Sequence, residues 1–321
     1  MTTRSYSVHS CHAAVSAWPE LSAAIHARLE PFAITASPVP EFEVTFQASL
    51  APRAESSAVA ASRRVYEFPE GEVLYDEAGD RLTITVGDRI CAACEPALGR
   101  ARVFVESPQP SDLYVLSHPV LTLVLMELLK RRGLYPLHAA GLALDGRGVL
   151  LAGTSGAGKS TLSVALARDG FSFMSDDTVF IEADGPGWHV RAFPDQIDLC
   201  PDTVSMFSEL QDIESVEPAP GWRKRQIRAE TIYGSPISWA TRPRVLIFPA
   251  VSGAPTSVLR PLAPEEALLE LVPNVLLTDA VGSQQHLNAL AGVISQCACY
   301  RLETGRDMDD AAAVVRRAMA A

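Results

Sequence analysis

Basic residues are in short supply in this 321-residue chain: 27 Lys and Arg stand against 38 Asp and Glu, for a net charge of −11. A general nucleic-acid-binding surface needs a basic face to neutralise backbone phosphates, so that class is set aside. Long apolar runs are also lacking. A membrane-spanning helix needs roughly 20 largely apolar residues, and the best stretch, Val120 to Leu129, is short and interrupted by Thr122 and Glu127. The opening residues Met1-Thr2-Thr3-Arg4-Ser5 carry no apolar secretory segment. A cytoplasmic protein without a membrane partner is expected. Cysteines number only six, scattered from Cys11 to Cys299 in a chain too large to need disulfide staples. Cys91-Ala92-Ala93-Cys94 has the spacing of a metal or redox pair, but a zinc site needs a second ligand pair and none is evident. Buried thiols are the expectation there.

What the chain has is apolar content: 48% hydrophobic residues with 20% charged, enough for a sizeable core. Its length suits two domains. Residues 1–110 carry no chemical motif. A helix is predicted over Pro19 to Leu29, and strands over Phe42–Phe46, Arg64–Phe68, Arg81–Val86 and Ala101–Val105, with Ala51 to Ser62 as a loop of small residues. This reads as a strand-rich α+β domain for recognition or assembly. Pro108, Pro110 and Ser111 mark the boundary, followed by a helix from about Pro119 to Arg132 that Gly133 stops.

Residues 111–321 are read as an α/β domain. The apolar run Val149–Ala152 leads into Gly153-Thr154-Ser155-Gly156-Ala157-Gly158-Lys159-Ser160, a complete match to G-x-x-x-x-G-K-[ST], and a helix pattern follows to Arg168. Glycines allow a tight loop whose N–H groups point at phosphates, and the helix adds its positive end. Lys159 supplies charge to the β- and γ-phosphates, Ser160 a hydroxyl for Mg²⁺, and Thr161 support for a phosphate oxygen. The expected cofactors are therefore ATP, or another nucleoside triphosphate, and Mg²⁺. Other nucleotide machinery is missing: there is no N-K-x-D, no L-S-G-G-Q, and no apolar strand after the loop ending in an ordinary Walker B acid. GTPase, transporter-ATPase and helicase readings are weakened accordingly.

In place of Walker B stand Ser175-Asp176-Asp177, after the strand that follows the loop helix. Adjacent residues of an extended segment face opposite ways, so one carboxylate can face Mg²⁺ and the other an incoming hydroxyl. Asp176 is assigned as base and Asp177, with Ser160, to the metal. His138 precedes the loop strand on a strand that can pair beside it, with Asp145-Gly146 as the turn. There it can orient, or share a proton with, one Asp. Thr178–Ile181 and Trp188–Phe193 read as a hairpin. Trp222-Arg223-Lys224-Arg225-Gln226-Ile227-Arg228 concentrates four basic residues, either as a solvated loop or as a segment that contacts phosphates or an acidic peptide.

The stretch from His138 to Asp177 resembles the C-terminal kinase domain of HPr kinase/phosphorylase, and most closely the HPr-kinase-related branch found beside peptide-maturation gene clusters. His138-Ala139-Ala140-Gly141, Gly148 to Leu162, and Ser175-Asp176-Asp177 carry the resemblance; Phe193-Pro194 is similar to an aromatic-proline step that follows. The resemblance does not reach residues 1–110. It implies a P-loop in a mixed, partly antiparallel sheet, similar also to phosphoenolpyruvate carboxykinase. It implies Lys159 and Ser160 on nucleotide and Mg²⁺, an Asp as base toward a serine hydroxyl, and His138 as its neighbour. The glycine-rich phosphorylase signature of that family is not found, and the first domain differs from its regulatory domain, so HPr is not implied as substrate. The activity expected is transfer of the γ-phosphoryl of ATP to a serine or similar hydroxyl of a peptide or protein, with a biosynthetic precursor peptide first. A homo-oligomer is left open. A small-molecule kinase and a nucleotide-binding regulator without transfer activity stand as alternatives.

Overall fold

The computed structural model describes residues 1–36, 38–51, 62–213 and 224–320. The predicted loop from Ala51 to Ser62 lies almost wholly outside the described residues, as do Trp222 and Arg223 of the basic segment. By its internal contacts the chain divides into two units, one of Met1–Leu134 with Leu276–Gln285 and one of Tyr135–Val275 with His286–Ala321. Residues 111–134, assigned by sequence to the second domain, belong to the first unit here.

Period-two burial builds the first unit. In Phe42–Gln47, Phe42, Val44 and Phe46 are buried while Glu43 is exposed. That strand is β4 of a nine-stranded sheet ordered β3-β1-β2-β4-β9-β8-β7-β6-β5. The others are β1 (Thr2–Val8), β2 (Cys11–Ala17), β3 (Ala33–Ile34), β5 (Arg63–Phe68), β6 (Gly71–Asp76), β7 (Arg81–Val86), β8 (Ile90–Glu95) and β9 (Arg100–Val105). The predicted strands are present to within a residue, and the helix Pro19–Leu29 begins and ends where proline spacing and apolar period place it. β1, β2, β6 and β8 were not read from the sequence; β1 and β2 are rich in Ser, Ala and Thr and lack a β-branched apolar run. Cys91 and Cys94 sit three apart on β8, hence on opposite faces, so the pair cannot share a metal or close a disulfide. Burial pushes the Cys94 thiol well up.

The helix expected from Pro119 begins earlier, and Asp112–Lys130 is long and apolar enough to cross a membrane, with two-thirds of it buried in the folded chain. Pro119 lacks the N–H for the helical ladder, and the turn Leu116–Val120 widens to a π-helix around it. Arg28 Nη1 donates to the carbonyls of Ser117 and His118 at 2.8 and 2.9 Å.

The second unit holds a mixed sheet. Its strands are β10 (Tyr135–Leu144), β11 (Arg147–Ala152), β12 (Ser172–Ser175), β13 (Thr178–Asp184), β14 (Gly187–Ala192), β17 (Ala240–Val251), β18 (Val258–Pro261) and β19 (Ala298–Thr304); β15 (Ile197–Leu199) and β16 (Arg225–Ile227) form a separate ladder. β11 and β19 run parallel to β17, and the remaining pairings are antiparallel. β10 changes partner along its length: its first residues pair with β13, and those from Ala139 pair with β11. The turn between β10 and β11 is the expected Asp145-Gly146, with φ of 51° and 75° at its two residues. The helix Lys159–Arg168 packs Leu162, Ala165 and Leu166 into a core shared with Ala311 and Val315 of the helix Met308–Ala320. The helix Ala280–Gln296 escaped the sequence reading.

Candidate nucleotide site

β11 delivers the loop. Val149 to Ala152 are fully buried between β10 and β17, and the chain leaves the sheet at Gly153 with φ 144°. Gly156 and Gly158 take φ of 82° and 98°, the left-handed region that glycine enters without strain. At Gly158 an added Cβ would also lie 3.4 Å from Val251 Cγ2. Thr154 and Ser155 are exposed at the crest of the loop, and Ala157 N–H donates to Thr154 O at 3.2 Å. The helix starting at Lys159 has no side-chain cap, so its first N–H groups remain for an anion.

Lys159 is buried and crosses the loop, its Nζ donating to Gly153 O at 2.7 Å and Thr154 O at 3.4 Å. Burial lowers its pKa. Ser160 Oγ donates to Asp176 Oδ2 at 2.9 Å. Asp176 is buried, and its second oxygen, Oδ1, has no hydrogen-bond partner. Burial pushes the Asp176 carboxyl up to about 7, with the charges of Asp177 and Asp198 adding to the rise and the Ser160 bond opposing it. Thr161 Oγ1 meets Thr203 Oγ1 at 2.8 Å and so ties the loop helix to the short helix Pro201–Met206.

Ser175 shapes the acidic turn. Its buried Oγ donates to Phe193 O at 2.9 Å and accepts from Thr178 N–H at 3.2 Å. Asp176 and Asp177 are thereby held between the end of β12 and the start of β13. Across the ladder His138 of β10 pairs with Thr178, and His138 Nδ1 lies 3.0 Å from Asp177 Oδ1. Asp177 is open to solvent, its side chain 67% exposed.

Of the residues singled out by sequence, the fold gathers Lys159, Ser160, Asp176, Asp177 and His138, but in a different pairing. Ser160 was expected with Asp177 on the metal; it meets Asp176. His138 was expected beside one Asp of the pair; it meets Asp177. Both Asp residues lie beyond the last strand residue, in a bend, so strand alternation does not set their directions.

One neighbour, Asp198, was not singled out from sequence; two others, Gln226 and Lys224, lie in the basic segment that was. Asp198 on β15 accepts from Gln226 Nε2 at 2.9 Å, and these two residues face each other in the β15–β16 ladder. Burial raises the Asp198 carboxyl. A polar residue between buried Ile197 and Leu199 was the available signal. Lys224 lies close enough to act electrostatically on both Lys159 and Asp198. The rest of the described basic segment is structural: Arg225 Nη1 donates to Leu210 O and Gln211 O at 3.0 and 3.2 Å, and Arg228 pairs with Glu230 at 3.6 Å.

The donor set suits Mg²⁺. A hydroxyl and a carboxylate with a free oxygen are hard ligands, and this ion takes one or two protein groups, keeping water and phosphate oxygens for the rest. Among the described residues no three His, Cys, Asp or Glu side chains converge on a metal.

A family described as SynChlorMet cassette protein ScmC matches residues 105–216, the span that contains His138, the loop and both Asp residues. No curated protein matches the chain. Among solved structures the chain is similar to the Hpr(Ser) kinase/phosphatase from Coxiella burnetii, at 19% identity over 48% of this chain and 93% of that one, with a TM-score of 0.25.

Proposed function

We propose that the second unit is a Mg²⁺- and ATP-dependent phosphotransferase that phosphorylates a serine or similar hydroxyl of a peptide or protein. The reading rests on one observation: Ser160 Oγ holds Asp176 at 2.9 Å with the other Asp176 oxygen unpartnered, while Asp177 stands on the open side beside His138. One carboxylate is thus committed to the loop and the other is available to an acceptor. This exchanges the roles expected from strand phase.

In this proposal Gly153 to Thr161 enclose the triphosphate, with loop N–H groups and Lys159 on its phosphates. Lys159 Nζ, resting on Gly153 O and Thr154 O, exchanges these carbonyls for phosphate oxygens. Ser160 and Asp176 would hold Mg²⁺, which would supply charge neutralisation to the phosphates. Asp177 accepts the hydroxyl proton of the acceptor. His138 Nδ1 fixes the Asp177 carboxylate and limits its rotation. Lys224 adds positive charge near Lys159 and Asp198. The matching family is described as a cassette protein, and a peptide encoded in such a cassette is the acceptor proposed.

Two variants test the division of labour. Asp177→Asn should keep Mg²⁺–nucleotide affinity and lose turnover by on the order of 10²–10⁴ in single-turnover assays, as removal of a general base does. Asp176→Asn should weaken Mg²⁺-dependent nucleotide binding itself, measured by calorimetry. Full activity in both would remove the carboxylate pair from the mechanism. Absence of any nucleotide binding in the native chain, with and without Mg²⁺, would remove the kinase reading altogether.

A further inference from the structure

The acidic turn and His138 reach the glycine-rich loop from one flank of its strand. β12 and β13 both pair with β10, and β10 lies beside β11. The other flank belongs to β17, which runs parallel to β11, and to β19, which runs parallel to β17. In open sheets, ligands lie beyond the carboxyl ends of neighbouring parallel strands. Here those ends are not level. The last pair between β11 and β17 is Leu151 with Ile247, whereas β17 continues with β19 as its partner to the pair Val251–Thr304. At about 3.3 Å per residue, the stretch from Ile247 to Val251 carries β17 roughly 13 Å past that last pair. Its end stands as a wall beside the loop.

The top of that wall is apolar and open. Val251 is 70% exposed, and its Cγ2 lies 3.4 Å from where a Cβ on Gly158 would stand. An exposed valine is common in itself; this one borders the loop. The segment behind it is pinned to the end of β19. Ser252 N–H donates to Thr304 O at 3.0 Å, Arg306 N–H to Ala254 O at 2.8 Å, and Gly305 N–H to Ser257 Oγ at 3.0 Å. Gly305 has no room for a side chain, since an added Cβ would lie 2.5 Å from the Thr256 carbonyl carbon. Arg306 is exposed, and its Nε donates to Gly253 O at 2.9 Å.

The two flanks therefore differ in chemistry. The β10 flank offers carboxylates and an imidazole, groups suited to a metal ion and a hydroxyl. The β17 flank offers an aliphatic side chain and a planar cation. A flat, uncharged aromatic base suits the second flank and not the first, because it gains by covering apolar surface and by stacking on a guanidinium. We propose that the base of the bound nucleoside triphosphate rests on Val251, with the Arg306 guanidinium against the same base. This placement rests on the nucleotide reading of the loop. It gives Val251 and Arg306, neither of them part of the glycine-rich motif, the task of telling a nucleotide from a bare chain of phosphates.

Calorimetric titration of the full chain with Mg²⁺–ATP and with Mg²⁺–tripolyphosphate separates base contacts from phosphate contacts. Val251→Ala trims the apolar surface. Arg306→Lys keeps the charge and removes the planar face. Each variant should weaken ATP binding about three- to tenfold, as loss of one or two covered methyl groups or a stacked face does, and leave tripolyphosphate binding unchanged. Val251→Ala leaves the hydrogen bonds between the two segments in place, so it remains informative if Arg306→Lys disturbs the Gly253 contact. Unchanged ATP affinity in both variants, or equal weakening of both ligands, would overturn this placement of the base and leave the nucleotide reading standing. No heat with either ligand in the native chain would remove the nucleotide reading and the base site with it.

Discussion

Two buried carboxylates, one in each unit, are treated in opposite ways. Glu127 is surrounded. Lys130 Nζ lies 2.7 Å from its Oε2, Thr278 Oγ1 donates to both oxygens at 3.2 Å, and Arg131 approaches Oε1 at 3.4 Å. Lys130 donates in turn to Thr278 Oγ1 at 2.6 Å, and Arg131 reaches Asp80 and Asp279 at 2.6 and 3.0 Å. This network ties the helix Asp112–Lys130 to the distant segment Leu276–Gln285 inside the first unit. Asp176 has Ser160 on one oxygen and nothing on the other. A buried charge with its partners supplied by the chain is a structural device; one with an oxygen left over is not satisfied by the chain. Burial alone does not distinguish the two, because both side chains are almost inaccessible.

The comparison breaks most visibly at Glu127. Glu127→Ala strands the Lys130 ammonium in the interior and should cost about 3–5 kcal/mol in chemical denaturation. Replacing Glu127 and Lys130 together by Met should recover most of that loss, because both desolvation penalties disappear. A single variant as stable as the native chain would mean that the Lys130 ammonium does not depend on Glu127.

A smaller effect of opposite character is expected at Asp176. Its folded-state pKa is raised from 3.8 to about 7. Between those values the folded chain holds a proton that the unfolded chain has released. Stability contributed at this position is therefore fully present below the lower value, falls as pH rises through the window, and is level above about 7. In metal-free, nucleotide-free protein the fall should be on the order of 1–4 kcal/mol, at about 1.4 kcal/mol per pKa unit. Asp176→Asn should flatten it relative to the native chain in denaturation series at several pH values. An identical pH profile in the two would mean the carboxyl is not held in the protonated form.

The smallest of the three concerns the residue that aims the acidic turn. Ser175→Ala removes the hydroxyl that bonds Phe193 O and Thr178 N–H and should cost about 1–2 kcal/mol. It should lower turnover more than nucleotide affinity, since Asp177 loses its positioning while the loop is untouched. Unaltered stability and turnover would show that the turn is held by the β12 and β13 ladders alone.

The phosphate loop, its flanking strand and helix, the Asp145-Gly146 turn and the hairpin after Asp177 were legible because each is a local pattern: glycine spacing, an apolar run, a pair of turn residues. The same holds for the helix Pro19–Leu29 and for β4, β7 and β9. β1 and β2 were not legible, since Ser, Ala and Thr give little apolar contrast and are buried only by what packs on them. Nor were β15 and β16, three residues each, whose pairing joins Ile197 to Ile227 across a long stretch of chain.

Sequence alone thus determined the glycine-rich loop between β11 and the helix Lys159–Arg168 and singled out two adjacent carboxylates, with His138, as its candidate companions. Tertiary structure decided which carboxylate sits against Ser160, because a bend rather than a strand carries the pair. It also decided that Lys130 finds Thr278, 148 positions away. Such outcomes depend on contacts between segments remote along the chain, and a local pattern of side chains holds no record of which remote segment will arrive.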